Sequence, residues 1–244
     1  MDLQLRGTSA LVTGAGSGIG RAVARALAAE GVRVALLDRD ESAVRDAARE
    51  CPDSIVLVAD VTDEEQTAAA LATVDRLDAV VCCAGISGPV GSGIEEISLA
   101  EWNAVFSVNV TGPFLVLRHA LPALRAAGAA SVVLISSDSA FVASPGMVPY
   151  CSSKAALVQF ARALSVDLAG TGIRVNTVAP SVVDTPMSRG DLGDGAFEAA
   201  DFPVQTADEV AAHVAYLVSP RSRAVNGTTL LSDFGYTARS GFPA

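Results

Sequence analysis

The sequence TGAGSGIG at residues 13–20 follows a short apolar run, Ser9–Thr13, and leads directly into a helical pattern. Glycines let the backbone turn sharply and approach a pyrophosphate, whose charge is stabilised by the amides at the amino-terminal end of the following helix. The spacing is G-x-x-x-G-x-G at Gly14, Gly18 and Gly20, which differs from the usual G-x-G-x-x-G pattern of dinucleotide-binding folds. Placed between a first strand and a helix, the turn predicts a nucleotide-phosphate site. A merely structural turn is the alternative.

Short apolar runs and longer amphipathic segments alternate along the chain. The runs are rich in Val, Ile and Leu, which is typical of strands covered on both faces. Alternating strands and helices imply right-handed crossovers and a doubly wound sheet. We therefore expect an α/β Rossmann fold, a single domain over residues 1–244 with a central, mostly parallel seven-stranded sheet flanked by helices. The predicted strands are Ser9–Thr13, Arg33–Leu37, Ile55–Ala59, Ala79–Cys82, Ser131–Ile135, Arg174–Val178 and Thr229–Ser232, and the predicted helices are Ile19–Ala29, Ser42–Arg49, Glu64–Thr73, Leu99–Leu124, Ser152–Ala169 and Ala207–Leu217.

The stretch Met187–Phe202 is the one irregular segment, and its glycines are Gly190, Gly193 and Gly195. It follows a predicted strand, so we expect it at the carboxyl edge of the sheet, where ligands bind in such folds. We predict a mobile substrate flap at about 187–202. Within the predicted helices, Ile19, Val23 and Leu27 should face the sheet, and residues 206–209 form a capping box at the start of the last one.

The composition limits the class of protein. Of 244 residues, 50% are hydrophobic and 18% are charged, which allows a sizeable core and argues against disorder. A formal net charge of −10 disfavours binding to nucleic acid. We see neither an apolar run of the ~20 residues that cross a bilayer nor a signal peptide at residues 1–6. Four cysteines without C-x-x-C spacing indicate neither a disulfide framework nor a metal site, so we expect a cytoplasmic protein without membrane or metal partners.

Asp38 ends the second predicted strand, twenty residues after Gly18. A carboxylate at this place accepts hydrogen bonds from both hydroxyls of an adenosine ribose and repels a 2′-phosphate, so it favours NAD over NADP. The neighbouring Arg39 is either a phosphate-binding guanidinium or a solvated surface residue. Asp60 ends the third predicted strand, where it either meets the adenine edge or caps the following helix.

Tyr150 and Lys154 lie four residues apart in a helical pattern and therefore share one face. Lys154 is the only lysine beside sixteen arginines, which points to a position that needs a compact, titratable charge. A phenol with an ordinary pKa of ~10 becomes an acid–base catalyst near neutral pH when an ammonium and an oxidised nicotinamide stabilise its phenolate. Ser137, just past a predicted strand, has a hydroxyl that can bond the substrate oxygen. The alternative for the Tyr-x-x-x-Lys pair alone is an ordinary amphipathic helix.

With these residues in this order, the chain resembles the short-chain dehydrogenase/reductase family over about Thr8 to Tyr236. The resemblance implies hydride transfer between a nicotinamide and a carbinol carbon, with Tyr150 as general acid/base and Ser137 positioning the substrate oxygen. It implies that Lys154 holds the nicotinamide ribose and lowers the pKa of the tyrosine, and that Asn109 anchors a water in a proton relay. It further implies that Thr185 binds the nicotinamide carboxamide and that Val183 packs beside the nicotinamide ring. The motifs and the resemblance together predict these cofactor-binding positions: Gly14, Ser17, Gly18, Ile19, Gly20, Asp38, Arg39, Asp60, Val61, Cys83, Ala84, Gly85, Tyr150, Lys154, Pro180, Val183 and Thr185.

Three places depart from the family pattern. Residues 82–85 read Cys-Cys-Ala-Gly where the family has Asn-Asn-Ala-Gly, so a thiol replaces an amide that both donates and accepts. We expect cofactor binding to survive, because this segment contacts the cofactor largely through its backbone. We also expect the two thiols to be buried and inert, with redox activity as the alternative. Residues 180–181 read Pro-Ser for Pro-Gly, and residues 233–235 read Asp-Phe-Gly for Asp-Gly-Gly, which reshapes the pocket or a subunit contact.

The substrate pocket is expected to be mostly apolar and to carry no cation. The predicted flap has Arg189 as its one cation against four acids, so an anionic substrate would be repelled. We therefore expect a small or medium, neutral secondary alcohol or its ketone. Each lining residue could equally be plain core. The flap acids are Asp191, Asp194, Glu198 and Asp201, and the expected lining residues are Ile86, Ser87, Pro89, Val90, Ser139, Phe141, Met147, Val148, Val182 and Met187.

By the same resemblance, helices Leu99–Leu124 and Ser152–Ala169 pair across a two-fold axis in a homotetramer, with a dimer as the next choice. The competing function that keeps the fold is a catalytically silent, dinucleotide-sensing regulatory protein. An intact Ser137, Tyr150 and Lys154 set argues against it. A methyltransferase gives no reason for the Tyr-x-x-x-Lys pair, and a Ser-His hydrolase would need a G-x-S-x-G turn that the sequence lacks.

Overall fold

The computed structural model describes residues 2–198 and 202–239, and a parallel sheet forms its centre. The bounds of the elements are, for the strands, β1 Ser9–Thr13, β2 Arg33–Asp38, β3 Ile55–Val58, β4 Ala79–Cys82, β5 Ala130–Ile135, β6 Ile173–Pro180, β7 Val183–Asp184, β8 Gln205–Thr206 and β9 Thr229–Ser232, and, for the helices, α1 Gly18–Ala29, α2 Glu41–Ala48, α3 Glu64–Leu71, α4 Leu99–Phe106, α5 Gly112–Ala126, α6 Val148–Asp167, α7 Pro186–Leu192, α8 Asp194–Glu198 and α9 Ala207–Val218.

Seven strands lie in the order β3-β2-β1-β4-β5-β6-β9, and each neighbouring pair is parallel. The prediction of a doubly wound Rossmann fold is confirmed. The chain runs outward from β1 to β3 and then returns to β4 on the other side of β1, so the strand order reverses between β1 and β4. A crevice opens at such a reversal, outside the carboxyl ends of the strands, and it is where ligands bind in this architecture.

Two apolar layers cover the faces of the sheet. On one face, Val23 and Leu27 of α1 are fully buried together with Val214 of α9, and Ile19 packs against the same cluster. This confirms the predicted inward face of the first helix. On the other face, α5 and α6 contribute buried side chains such as Leu157. Each such side chain stabilises the fold by about 1.5–3 kcal/mol relative to its exposed state.

The predicted helix Leu99–Leu124 is wrong as one continuous α-helix. A π-helical turn, Ser107–Thr111, separates α4 from α5. Apolar residues continue at helical spacing through this turn, so periodicity alone does not reveal the local widening. The turn buries the side chain of Asn109, and π-turns of this kind are frequent at functional sites.

The predicted start of the next helix at Ser152 is also wrong, because α6 begins at Val148. Pro149 lies in the first turn, where proline is well tolerated since that turn has no internal amide bond to lose. Tyr150 is consequently inside the first helical turn, and Lys154 lies one turn further along the same helix.

The stretch 187–202 is not irregular over its described part. Thr185 caps α7 through a bond from the amide of Ser188, Pro186 follows at the first helical position, and α8 succeeds α7 after Gly193. The glycines mislead here because Gly190 lies within α7. Residues 199–201, which include Asp201, fall outside the described residues.

One helical stretch within the described residues, Leu99–Ala126, is long and apolar enough to cross a membrane by length and composition alone. It is not a continuous apolar run, because polar side chains such as Asn109 and Arg118 interrupt it. Its most apolar window is 44% buried inside the structure. Val116 and Leu117 lie in the apolar layer against the sheet, which accounts for the apolar composition through the fold itself.

The predicted capping box at the start of the last helix is confirmed. The Thr206 hydroxyl accepts from the amide of Glu209, whose carboxylate accepts from the amide of Thr206. Ser98 and Glu101 form the same motif at the start of α4, where the sequence pattern is equally visible.

Candidate active site

At the glycines of the turn after β1, a side chain would overlap neighbouring atoms or strain the backbone. Gly14 has φ of 64°, and a Cβ there would lie 2.9 Å from the Cα of Ala84. A Cβ on Gly20 would overlap the carbonyl oxygen of Gly14. Gly18 has φ of 50° and faces Thr185, with 3.5 Å between the place of its missing Cβ and the Cβ of that threonine. Steric overlap therefore requires glycine at positions 14 and 20, and the positive φ favours it at position 18.

The start of α1 fits a phosphate group. Ser17 is the N-cap residue, yet among the described residues no side chain caps the free amides of this helix, and its first turn carries no acid. Uncapped amides and the helix dipole favour an anion at this end. Because the glycines also keep the space above the amides clear of side chains, the turn fits the dinucleotide pyrophosphate that the motif predicts.

Asp38 is held beside this turn at the end of β2. Its Oδ2 atom accepts from the amide of Gly16 at 2.9 Å, and its Oδ1 atom accepts from the amide of Asp40 at 3.0 Å. A Cβ on Gly16 would lie 3.0 Å from Oδ2 and 2.8 Å from the Cβ of Ala43. Gly16 is therefore a fourth required glycine, which the spacing argument missed although the residue lies within the motif.

Arg39 follows β2 and Asp60 follows β3, and their side chains face each other. The Nη1 atom of Arg39 lies 3.6 Å from Oδ2 of Asp60, and the guanidinium side chain is 67% exposed. Asp60 Oδ1 accepts from both the amide and the hydroxyl of Thr62, an interaction that lowers the pKa of the carboxyl against the opposing effect of burial. The idea that Asp60 caps the following helix is wrong, because Asp63 is the cap of α3.

The two adjacent cysteines lie beneath this crevice. The hydroxyl of Thr13 accepts from the amides of Cys83 and Ala84, which ties the loop after β4 to the end of β1. Burial raises the pKa of the Cys82 thiol to about 12 and that of Cys83 further still. Cys82 is buried, as expected, whereas Cys83 is only partly buried. Thiols with raised pKa values remain protonated near neutral pH, and the inertness of the pair stays a prediction.

Ser137, Tyr150 and Lys154 come together at the carboxyl end of β5. The Lys154 Nζ atom lies 5.5 Å from the centre of the Tyr150 ring and donates to the carbonyl of Ile135 at 3.0 Å. Ser137 is the cap residue of a short 3-10 turn, and its hydroxyl accepts from the amide of Ser139. A helix turn and a strand end thus hold a hydroxyl, a phenol and an ammonium in one place, as the sequence predicts.

Burial shifts the proton affinities of this cluster. It raises the pKa of Tyr150 to about 12, while hydrogen bonding with Ser137 lowers that pKa and the charges of Asp138 and Asp191 raise it further. Burial lowers the pKa of Lys154 to about 8. In the protein alone, the phenol therefore stays protonated near neutral pH. The expected lowering of its pKa must then depend on the positive charge of a bound oxidised nicotinamide, with the ammonium in support.

Asn109 ties the loop after β4 to helix α6, which carries Tyr150 and Lys154. Its Oδ1 atom accepts from the amide of Ile86 at 2.9 Å, and its Nδ2 atom donates to the carbonyl of Ile86 and to the hydroxyl of Ser153. A Cβ on Gly85 would lie 3.3 Å from Oδ1 of Asn109 and 3.5 Å from Nζ of Lys154, so these two side chains approach each other across that glycine. The water relay assigned to Asn109 stays a prediction.

The other predicted cofactor contacts surround the same crevice. Val61 is buried against Gly112, Pro180 ends β6, and Val183 is buried in β7. Thr185 begins α7, the helix that lies next to the glycine turn, and its hydroxyl accepts from the amide of Ser188. Their contacts with the cofactor remain predictions.

Three side chains of the site escape sequence reasoning. The Ser136 hydroxyl donates to the carbonyl of Lys154, and the Ser153 hydroxyl accepts from Asn109. Both bonds fix the helix that carries Tyr150 and Lys154. Asp138 accepts from the Ser137 hydroxyl at 3.0 Å. Isolated serines and an acid after a strand carry no distinctive spacing, and only the fold brings them to the site.

Known proteins resemble the whole chain. A family model described as enoyl-(acyl carrier protein) reductase matches residues 14–237. The 2-(R)-hydroxypropyl-CoM dehydrogenase of Xanthobacter autotrophicus is 38% identical over 245 residues, which cover 94% of this chain and 98% of the relative. The D-threitol dehydrogenase of Mycolicibacterium smegmatis is 34% identical over 253 residues, which cover 98% of this chain and 96% of the relative.

Solved structures agree with the fold. The structure described as a putative NAD(P)-dependent gluconate 5-dehydrogenase from Beutenbergia cavernae, with bound NADP, superposes with a TM-score of 0.88. It is 33% identical and covers 98% of this chain and 100% of its own. The superposition therefore extends over the parts of the chain that carry the glycine turn and Ser137, Tyr150 and Lys154.

Proposed function

The chain belongs to the short-chain dehydrogenase/reductase family, and we propose that it is an NAD-dependent enzyme interconverting a neutral secondary alcohol and its ketone. That it is an oxidoreductase acting on alcohols follows from its dehydrogenase relatives. The observation that carries the proposal is the meeting of Ser137, Tyr150 and Lys154 beside a glycine turn shaped for a pyrophosphate.

Tyr150 exchanges a proton with the substrate oxygen. A bound nicotinamide dinucleotide supplies the hydride acceptor for alcohol oxidation and the donor for ketone reduction. The Ser137 hydroxyl orients the substrate oxygen toward the phenol. Lys154 is anchored on the carbonyl of Ile135, so its ammonium stays next to the phenol while the proton moves.

Asp38 supports the preference for NAD. Its carboxylate is fixed by the amides of Gly16 and Asp40 at the place where an adenosine ribose follows the pyrophosphate. A 2′-phosphate there would meet a like charge, which costs binding energy. The opposing influence is Arg39, whose guanidinium already faces Asp60.

The charges around the crevice support a substrate without negative charge. Arg189 lies between Asp184 and Asp194 in two ion pairs and stacks on the ring of Phe197. Its charge is thereby balanced within the protein. Lys154 is buried beneath the phenol, where it serves the proton transfer.

The homotetramer is part of the proposal. Phe114 on α5 is 44% exposed and Val166 on α6 is 72% exposed, although both lie on helices that otherwise cover the sheet. Apolar side chains exposed on neighbouring long helices are suited to pairing with a second subunit across a two-fold axis. A dimer is the next choice, and a cytoplasmic location completes the proposal.

A panel of secondary alcohols tests the proposal, with NAD and NADP compared by NADH or NADPH absorbance. We expect activity with NAD and a loss of about 10²–10⁴-fold in Tyr150→Phe, the range for a lost general acid/base. Tyr216→Phe, which removes a hydroxyl on α9, is the matched control and should keep wild-type rates. A clear preference for NADP would reject the cofactor assignment, and full turnover in Tyr150→Phe would reject the mechanism.

A further inference from the structure

Two carboxylates from different chain segments are hydrogen-bonded to serines of the crevice that holds Tyr150. Asp138 follows Ser137 after β5 and accepts from its hydroxyl at 3.0 Å. Asp191 lies on α7 and accepts from the hydroxyl of Ser87 at 2.9 Å. Burial is the main reason for the raised pKa of Tyr150, and the charges of both carboxylates raise it further.

The contacts of the neighbouring loop place Asp191 at the same crevice. Ile86 is bound through its backbone to Asn109, and Asn109 approaches Lys154 across Gly85. Ser87 is the next residue of that loop, so its bond to Asp191 joins α7 to the wall of the catalytic site. The two acids therefore border one space from two sides.

Neither acid is neutralised by a cation within the described residues. Arg189, the one cation of α7, forms its ion pairs with Asp184 and Asp194 and with neither of the two serine-bonded acids. The Nζ atom of Lys154 is buried and donates to a backbone carbonyl. Within the described residues, no ion pair therefore offsets the charges of Asp138 and Asp191.

Carboxylates accept hydrogen bonds and do not donate them. Each has two oxygens with about four acceptor sites, and a single serine hydroxyl uses one of these on Asp138 and on Asp191. A substrate that covers such oxygens with bare hydrocarbon removes water without replacing its bonds, which costs free energy. A substrate with further hydroxyl groups replaces those bonds, and a substrate with its own carboxylate is repelled.

We propose that Asp138 and Asp191 select secondary alcohols that carry a further hydroxyl group next to the carbinol carbon, namely vicinal diols and polyols. The inference rests on the proposed function and narrows its substrate class. Asp138 and Asp191 accept hydrogen bonds from those hydroxyls. A second role of Asp138, the orientation of Ser137, acts on every substrate alike and therefore cancels when two substrates are compared on one enzyme.

Three four-carbon substrates separate these effects in the full-length enzyme. They are 2-butanol, 2,3-butanediol and the 3-hydroxybutyrate anion, which share a methyl carbinol and differ in the remaining two carbons and their substituents. We expect kcat/KM for the diol to exceed that for 2-butanol by at least about tenfold, after allowance for its two equivalent carbinols, because bonds to charged acceptors contribute strongly. The hydroxy acid should be the poorest of the three.

Charge-removing variants assign the selection to the two acids. Asp138→Asn and Asp191→Asn should each lower the diol-to-2-butanol ratio of kcat/KM by about fivefold or more and raise the relative rate on 3-hydroxybutyrate. Asp194→Asn removes the same charge where it faces Arg189, and both ratios should keep their wild-type values. If the amide of Asp138→Asn disturbs Ser137, Asp138→Ala replaces that variant. Both substrates are measured on the same variant enzyme, so a disturbance of Ser137 cancels in the ratio.

The outcomes separate this inference from the proposed function. A wild-type enzyme that oxidises 2-butanol and the diol equally well overturns the inference and leaves the proposed function standing. Unchanged ratios in both Asp→Asn variants also overturn it. Turnover of these substrates that is undiminished in Tyr150→Phe rejects the proposed function instead.

Discussion

The glycine turn at 13–20 and the Ser137, Tyr150 and Lys154 cluster lie at one edge of the sheet but depend on the sequence in opposite ways. The turn works through the absence of side chains, since a Cβ on Gly14 would lie 2.9 Å from Ala84. The cluster works through side chains whose removal leaves the backbone undisturbed. Substitutions in the turn should therefore damage folding and cofactor binding, whereas substitutions in the cluster should act mainly on the chemistry.

Gly20→Ala should have the largest effect on this contrast. Alanine is favoured over glycine inside a helix, but here its Cβ would overlap the carbonyl oxygen of Gly14. Overpacking of this kind costs about 1–3 kcal/mol or more, and it displaces the turn that should hold the pyrophosphate. Denaturant unfolding and NADH binding both report the change. Gly190→Ala is the matched control, because a Cβ there meets nothing within 4 Å.

Lys154→Arg should leave the fold intact and reduce kcat by about a hundredfold, within the range for a disturbed acid–base group. The guanidinium keeps the charge but is broader than the ammonium, which fits between Ile135 and Gly85. Circular dichroism checks the fold, and steady-state kinetics check the rate. Wild-type kcat in this variant would show that the site needs only a positive charge.

Asp38→Asn tests the carboxylate that lies beside the glycine turn. Its amide keeps the shape of the carboxylate and loses the charge, so binding of NADPH relative to NADH should improve by about tenfold. Fluorescence titration of the reduced cofactors measures this ratio without turnover. Asp53→Asn removes the same charge before β3, at the opposite edge of the sheet, and should leave the ratio as it is. An equal shift in both variants would attribute the effect to net charge.

The smallest effect should be a pH dependence of stability. Burial lowers the pKa of Lys154 from its ordinary 10.5 to about 8, so between these values the unfolded chain binds more protons than the folded protein. The contribution of Lys154 to the free energy of unfolding should therefore rise with pH across that window and stay constant below it.

Unfolding of Tyr150→Phe and of Tyr150→Phe/Lys154→Met at pH 7 and at pH 9.5 measures this contribution. The phenylalanine background removes the titration of the neighbouring phenol. The stability of the lysine-containing protein should increase relative to the methionine variant at the higher pH. A constant difference between the two proteins would mean that Lys154 is solvated in the fold.

Local patterns predict much of this molecule. Apolar runs mark the strands of the parallel sheet, and the glycine spacing marks the turn after β1, because each reflects an interaction within a few residues. The Tyr150 and Lys154 pair follows from helical spacing in the same way. Apolar periodicity misses the π-helical turn at 107–111, which widens the helix without altering that pattern, and glycine content misrepresents α7, where Gly190 lies inside a helix.

By itself, the sequence determined the fold class, the glycine turn after β1 and the pairing of Tyr150 with Lys154 on one helix face, because covalent spacing and helix periodicity fix those relations. Only the tertiary structure decided which groups surround them. Asp138 and Asp191 are 53 residues apart in the chain and reach the same phenol because parallel strands bring their carboxyl ends to one edge. The charge of the pocket and the hydrogen bonds of Asn109 both depend on residues from distant segments of the chain, so no local pattern encodes them.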